Sequence, residues 1–322
     1  MGQFHWRAIR ERLISLKLIS LKMFFMFFLS ALLVVLTSSG CGGGSGGGSG
    51  GGNISCPTGY VAVPPMADYT SKAFCVMKYE AKNDGSGNAV SQAAGMPWVN
   101  IDRYQAIAKC QAIGLGYDLI TNDEWQTMAR NAAHVPFNWG DGAVGSSKGL
   151  SRGNSNSSGA LSASADDNQA CSGLNVISTS CSGSAWHEER RILKLSNGKV
   201  FWDLSGNVWE WVKDDNRNNY GGNAYISQVT LQSHPASHSL SGGTTTIARV
   251  AKNQFGPSGN YSGLSRSPYG GLGYGSLGYS RGAVLRGGKW NSGTGAGVFA
   301  VALYDSATDT ASNLGFRCVC HP

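Results

Sequence analysis

The side chains best placed to recognise another molecule lie in residues 284–318, VLRGGKWNSGTGAGVFAVALYDSATDTASNLGFRC. Asn291, Ser292, Thr294, Tyr304 and Asp305 lie between two ends, Arg286-Gly287-Gly288 and Gly315-Phe316-Arg317-Cys318. Amides and hydroxyls re-aim their hydrogen bonds readily and a tyrosine adds broad amphipathic contact, as in antibody loops. Val298, Phe299, Val301 and Leu303 supply apolar anchors, the last two with period-two spacing. The pattern is an anchored frame presenting an adaptable face, which is the chemistry of binding rather than of catalysis. No Ser/His/Asp or His/Cys set accompanies it, because His187, His234, His238 and His321 are scattered without motif context. Glu124 is accounted for as the fourth residue of a capping box, Thr121-Asn122-Asp123-Glu124. Asp166-Asp167-Asn168 is oxygen-rich but reads as a solvated turn.

The elements that must position this face follow in chain order. Residues 59–63 and 74–79 alternate and branch like strands. A helix is expected from a cap at Asn100 to about Ile113, with Tyr104, Ile107, Ala108 and Ala112 on its apolar side and Gly114 ending it. A second helix starts at the Thr121 cap, buries Trp125, Met128, Ala129 and Ala132, and stops at Val135-Pro136. Residues 140–185 are Gly, Ser and Asn with almost no apolar periodicity, which predicts a long loop region. The tryptophans of 201–211 need a large apolar environment and belong to the core. Residues 214–281 are again rich in Gly, Ser, Tyr and Asn and read as an ordered loop layer.

The chain opens with Arg7, Arg10, Arg12, Lys17 and Lys22 against Glu11, then an apolar run from Met23 to Leu36 broken only by Ser30. A spanning helix needs about 20 apolar residues, so the run fits a signal-peptide core better. Thr37-Ser38-Ser39-Gly40 and Cys41 follow, resembling a bacterial lipoprotein signal with Ser38 where Leu is usual. That implies lipidation of Cys41, and the Gly/Ser segment at 42–52 reads as a flexible tether. The domain boundaries are therefore 1–40 leader, 41–52 lipidated cysteine and linker, and 53–322 globular domain. The leader carries about four of the seven net positive charges, and no basic stripe with interleaved aromatics supports nucleic-acid binding. Eight cysteines suit an oxidising compartment. With Cys41 lipidated, an odd number remain: Cys171 and Cys181 pair across a short loop, and Cys56 with Cys75 would leave Cys320 over. Zinc is disfavoured, because Cys318-Val319-Cys320 lacks ligand spacing and a second pair.

LRGGKW with SNLGFRC resembles the C-terminal signature of the formylglycine-generating enzyme (sulfatase-modifying factor) domain family. DLSGNVWEW at 203–211 and ITNDEWQTMARN at 120–131 resemble two further family motifs, in the family's order, so that the resemblance covers roughly 57–320. It implies an irregular, loop-rich α+β fold related to C-type lectins, with two helices and short antiparallel sheets. It also implies a Cys110–Cys318 bridge, worth roughly 3–5 kcal/mol for a loop of about 200 residues. The resemblance further implies a structural calcium ion held by Asp203, Gly206, Val208 and Glu210, since calcium takes six to eight oxygen donors; the alternative is that Glu210 pairs with an arginine. The family's oxidases hold copper through two cysteines five residues apart, and soft thiolates suit copper(I). The corresponding positions here are Ser292 and Gly297, so no copper and no oxidase activity are expected.

The pattern RGGxWNxGTxAGVFAVxL…NxGFRC also resembles the variable region of proteins diversified by retroelements that mutate template adenines. Relative to an Asn-rich template the departing positions are Lys289, Ser292, Gly295, Ala302, Tyr304 and Asp305; all but Lys289 are reachable from an Asn codon by adenine changes alone. The resemblance implies a ligand-binding face made of Lys289, Trp290, Asn291, Ser292, Thr294, Gly295, Ala302, Tyr304 and Asp305. The expectation is a non-catalytic lipoprotein at a bacterial outer membrane or cell surface, held by its lipid and binding an external protein or glycan. An active oxidase and a structural envelope protein are the alternatives.

Overall fold

Short runs of β-branched and aromatic residues, each closed by glycine, proline or a polar turn, dictate short strands. The computed structural model describes residue 41 and residues 54–175, 181, 184–215, 226–230, 255–257, 272–277, 283–303 and 305–322. The expected leader at 1–40, the linker at 42–52 and Tyr304 lie outside the described residues. No helix among the described residues is long and apolar enough to cross a membrane.

Tyr60–Val63 (β1) pairs antiparallel with Phe74–Met77 (β2), Tyr60 opposite Met77 and Val63 opposite Phe74. Lys82–Asn83 (β3) and Ala89–Val90 (β4) form a small ribbon. Helix α1, Arg103–Gln111, leads through Tyr117–Leu119 (β5) to helix α2, Asn122–Ala133. Ile192–Lys194 (β6) and Val200–Trp202 (β7) make a hairpin. Then come Trp209–Asp215 (β8), Ile226–Thr230 (β9), Tyr274–Leu277 (β10), Ala283–Arg286 (β11), Val301–Ala302 (β12), Leu314–Phe316 (β13) and Cys318–Cys320 (β14). One sheet has the order β1-β2-β14-β5 and is antiparallel throughout. A larger sheet has the order β13-β8-β11-β12-β10-β9. The expected α+β fold with two helices and short sheets is present among the described residues. The larger sheet is mixed, however, because β13 with β8 and β10 with β12 run parallel.

The two helices show how capping chemistry decides boundaries. Thr121 accepts from the Glu124 amide while the Glu124 carboxylate accepts from the Thr121 amide, the expected capping box. Trp125, Met128, Ala129 and Ala132 are all buried behind it. α1 starts later than expected: Asp102, not Asn100, is its cap, in a reciprocal box with Gln105. Asn100 instead adopts a left-handed backbone at φ 57°. Its buried side is Arg103, Ala106 and Cys110, whereas Tyr104 points to solvent. Arg103 can be buried because its Nη1 donates to the Lys213 and Asp214 carbonyls at 2.9 and 2.8 Å.

Residues 40–322 form one compact unit. The tryptophans expected in the core are there, and the indole N–H of four buried tryptophans finds an acceptor, as buried indoles usually do. Trp125 donates to the Val298 carbonyl, Trp139 to Ala133, Trp211 to Ile101 and Trp202 to the Asp167 carboxylate. Cys110 bridges to Cys318, tying α1 to β14, and Cys171 bridges to Cys181. Cys56 bonds Cys75. Cys320, which the count left over, bonds Cys41. The Cys41 sulfur can hold this bond or a thioether lipid, but not both at once.

Candidate functional site

The frame of the 284–318 stretch is built from groups that leave no slack. Arg286, at the end of β11, is fully buried and donates from Nη1 to Asn122 and from Nη2 to Gln126, both at 2.8 Å. Gly287 and Gly288 follow with φ near +89°, a region that side chains rarely tolerate. A Cβ at Gly287 would lie 3.2 Å from the Leu204 carbonyl oxygen, and one at Gly288 would lie 2.9 Å from the Ala296 Cα. The Gly287 carbonyl accepts from the Gly206 and Gly297 amides, and the Trp125 indole donates to the Val298 carbonyl. Residues 289–296 therefore leave and re-enter the core through a pinched neck.

On the loop itself Ser292 closes a turn, accepting from the Lys289 amide at 3.1 Å while its own amide donates to the Lys289 carbonyl. Asn291 and Thr294 are exposed; Lys289, Trp290 and Ser292 are half-buried. Among the described residues, no hydrogen bond or ion pair engages the side chains of Lys289, Asn291 or Thr294 or the indole N–H of Trp290. Two expected positions are not on this face. Ala302 is fully buried, because β12 is sandwiched between β10 and β11, and Gly295 is buried in the short turn at 293–295. Asp305 is half-buried and has a partner. Residues 155–158, inside the Ser/Asn-rich loop, lie against the face, and nothing in their periodicity marks them out.

Two of the four expected calcium positions, Asp203 and Glu210, are engaged by arginines. Asp203 is held by both arms of Arg191 at 2.8 and 2.7 Å. Glu210 is held by both arms of Arg317, also at 2.8 and 2.7 Å. Both pairs are buried, and an ion there would displace a guanidinium or sit beside it. The Val208 and Gly206 amides donate to Glu80 and to Gly287. At Asp203 and Glu210 the carboxylates form a pair of arginine–carboxylate forks, the alternative expected for Glu210. Among the described residues the buried side-chain oxygens without a hydrogen-bond partner are Tyr60 Oη, Asn154 Oδ1 and Ser205 Oγ, all neutral and none among the four.

The position that would carry the second copper thiol is closed as well. A Cβ at Gly297 would lie 2.2 Å from the Gly273 amide nitrogen and the Leu272 carbonyl carbon. All eight cysteines are joined in the four disulfides.

Replacing Arg317 with Met should leave Glu210 buried and unpaired and destabilise the fold by about 3–5 kcal/mol. Urea unfolding should give the same loss with millimolar calcium present or with a chelator; rescue by calcium would restore the cation reading. A second prediction concerns Glu80, which accepts from Asn207 Nδ2 at 2.6 Å and from the Val208 amide at 3.2 Å. Burial, reinforced by the Asp203 and Glu210 carboxylates and opposed by Lys82 and Arg317, raises its pKa to about 8. An acid whose pKa rises on folding holds its proton more tightly in the folded chain. Stability should therefore fall as pH rises from 4.5 to about 8. Glu80→Gln should flatten that slope in chemical unfolding, and an unchanged slope would assign it to another group.

Residues 56–322 match the sulfatase-modifying factor enzyme 1-like domain family. No curated protein matches the chain. Among solved structures, Treponema denticola variable protein 1 is similar over 80% of this chain and 87% of its own, with 17% identity and a TM-score of 0.40. PvdO from Pseudomonas aeruginosa is similar over 84% and 94%, with 16% identity and a TM-score of 0.39. The P3c variant of the Major Tropism Determinant is similar over 82% of this chain but only 52% of its own, with 14% identity and a TM-score of 0.36.

Proposed function

We propose that this chain, which belongs to the sulfatase-modifying factor enzyme 1-like domain family, is a non-catalytic protein displayed outside the cell that binds an external ligand through residues 289–294. The observation that carries the reading is the contrast between frame and face. Beneath the loop every arginine and indole named above is hydrogen-bonded, whereas the side-chain polar groups of Lys289, Trp290, Asn291 and Thr294 are uncommitted among the described residues. Uncommitted donors and acceptors on a rigid support cost little to engage with a ligand. The closed space at Gly297 and the complete pairing of cysteines support the absence of oxidase chemistry. Resemblance of the stretch to retroelement-diversified regions supports a face whose residues change between copies while its frame does not. The leader supports export. A lipid on Cys41 anchors only those chains in which that sulfur is not bonded to Cys320.

Three observations test these statements. A near-copy of the codons for 284–318 beside the gene, differing only at template adenines and accompanied by a reverse transcriptase, is expected; its absence would leave a fixed binding face. Purified protein with copper(I) and oxygen should convert no cysteine of a sulfatase-type peptide to formylglycine, and conversion would overturn the non-catalytic reading. Mass spectrometry of membrane-bound protein should find the lipid on Cys41 and a free Cys320. A Cys41–Cys320 peptide in all membrane-bound chains would rule that anchor out.

A further inference from the structure

Residues 155–158 are stitched to the 289–294 loop along a seam. The Gly293 amide donates to the Ser155 carbonyl and the Ser157 amide to the Trp290 carbonyl, both at 2.8 Å. The Trp290 amide donates in turn to the Asn207 carbonyl at 3.0 Å, which fixes the seam to the core. Ser155 is buried, its hydroxyl accepting from Arg152 Nη1 at 2.7 Å. Asn156 and Ser158 are exposed and Ser157 is half-buried. Asn156 Nδ2 donates to Glu189, and its Oδ1 lies 3.9 Å from where a Gly293 Cβ would stand. The amide oxygen of one loop therefore faces the other loop's turn.

We propose that the two loops form one composite site and that its occupant is a neutral carbohydrate, with a sugar ring against the Trp290 indole and its hydroxyls met by Asn156, Asn291 and Thr294. The inference rests on reading 289–294 as a binding face and adds a second loop and a ligand class to it. A pyranose presents an apolar C–H surface rimmed by hydroxyls, each both donor and acceptor. An indole is an amphipathic surface with one polar N–H, and amides and hydroxyls both donate and accept. A protein partner would need an apolar centre built on large side chains. The exposed large apolar residues described are Met96, Tyr104, Leu115 and Val144, none of them in either loop. A polyanion would need several cations. Within 155–158 and 289–294 Lys289 is the sole charged residue, and the adjoining Glu189 opposes it.

The test is to probe the full exported chain on an array of neutral hexose and N-acetylhexosamine oligosaccharides, with sialylated and sulfated versions alongside. The strongest neutral oligosaccharide is then titrated against the parent protein and the exposed-site variants Asn156→Ala and Asn291→Ala. The proposal expects neutral glycans to bind and each substitution to weaken binding about tenfold or more, equal to about 1.4 kcal/mol. Loss with Asn291→Ala but not Asn156→Ala overturns the composite site and leaves the 289–294 face standing. No neutral glycan bound, or a preference for the anionic versions, overturns the carbohydrate assignment. Glycan binding that neither substitution alters overturns the binding face itself, and this inference with it.

Discussion

The fork between Arg317 and Glu210 is the contact on which the rest of the structure depends. Leu314–Phe316 belongs to the larger sheet and Cys318–Cys320 to the smaller one, so the chain changes sheets at Arg317. A buried charge at that crossing is sustainable only if every donor finds an acceptor. Two arms meet Glu210 on β8, and further N–H groups meet the Met77 and Trp202 carbonyls at the ends of β2 and β7. One side chain thus fixes the relative position of three strands and the last crossing of the chain. Arg191 repeats the solution one layer away, joining Asp203 to the carbonyls of Leu161, Ser162 and Ser172 and so anchoring the long glycine- and serine-rich loop. Residues with little apolar periodicity of their own are held by arginine rather than by burial.

This explains how a chain with so many short polar segments supports a rigid face. Arg286 locks β11 to α2, the two left-handed glycines turn the chain out, and Gly297 lets it return against Leu272 and Gly273. Between those points the side chains of Lys289, Asn291 and Thr294 make no hydrogen bond or ion pair among the described residues, whereas Ser292 closes its own turn. Substitution at Lys289, Asn291 or Thr294 should leave the packing beneath intact, a division that suits the proposed binding face.

Local chemistry was legible in the sequence and distant chemistry was not. The Thr121 box and the four apolar positions of α2 follow from spacing alone, because each partner lies within one or two turns. The burial of Arg103 was hidden, since its acceptors are carbonyls some 110 residues away. Asp203 and Glu210 read as oxygen donors for a cation because Arg191 and Arg317 enter from other segments of the chain, the latter 107 residues later. The exposure of Ala302 was misjudged for a related reason: strand alternation gives two faces, but the neighbouring strands and the core on either side decide that both are covered. Cys41 and Cys320 are 279 residues apart, and only tertiary structure could bring them together. The seam between 155–158 and 289–294 is made of backbone groups, which leave no trace in residue type.

The most direct test of a rigid frame carrying a free face is a saturation scan of 284–318, read by protease resistance of the displayed domain without any ligand. Gly287, Gly288, Gly297, Ala302 and Arg317 should reject nearly every substitution, whereas Lys289, Asn291 and Thr294 should accept nearly all polar ones with unchanged resistance. If Asn291 and Thr294 prove as intolerant as the two glycines, those side chains are structural, and the division between frame and face is wrong.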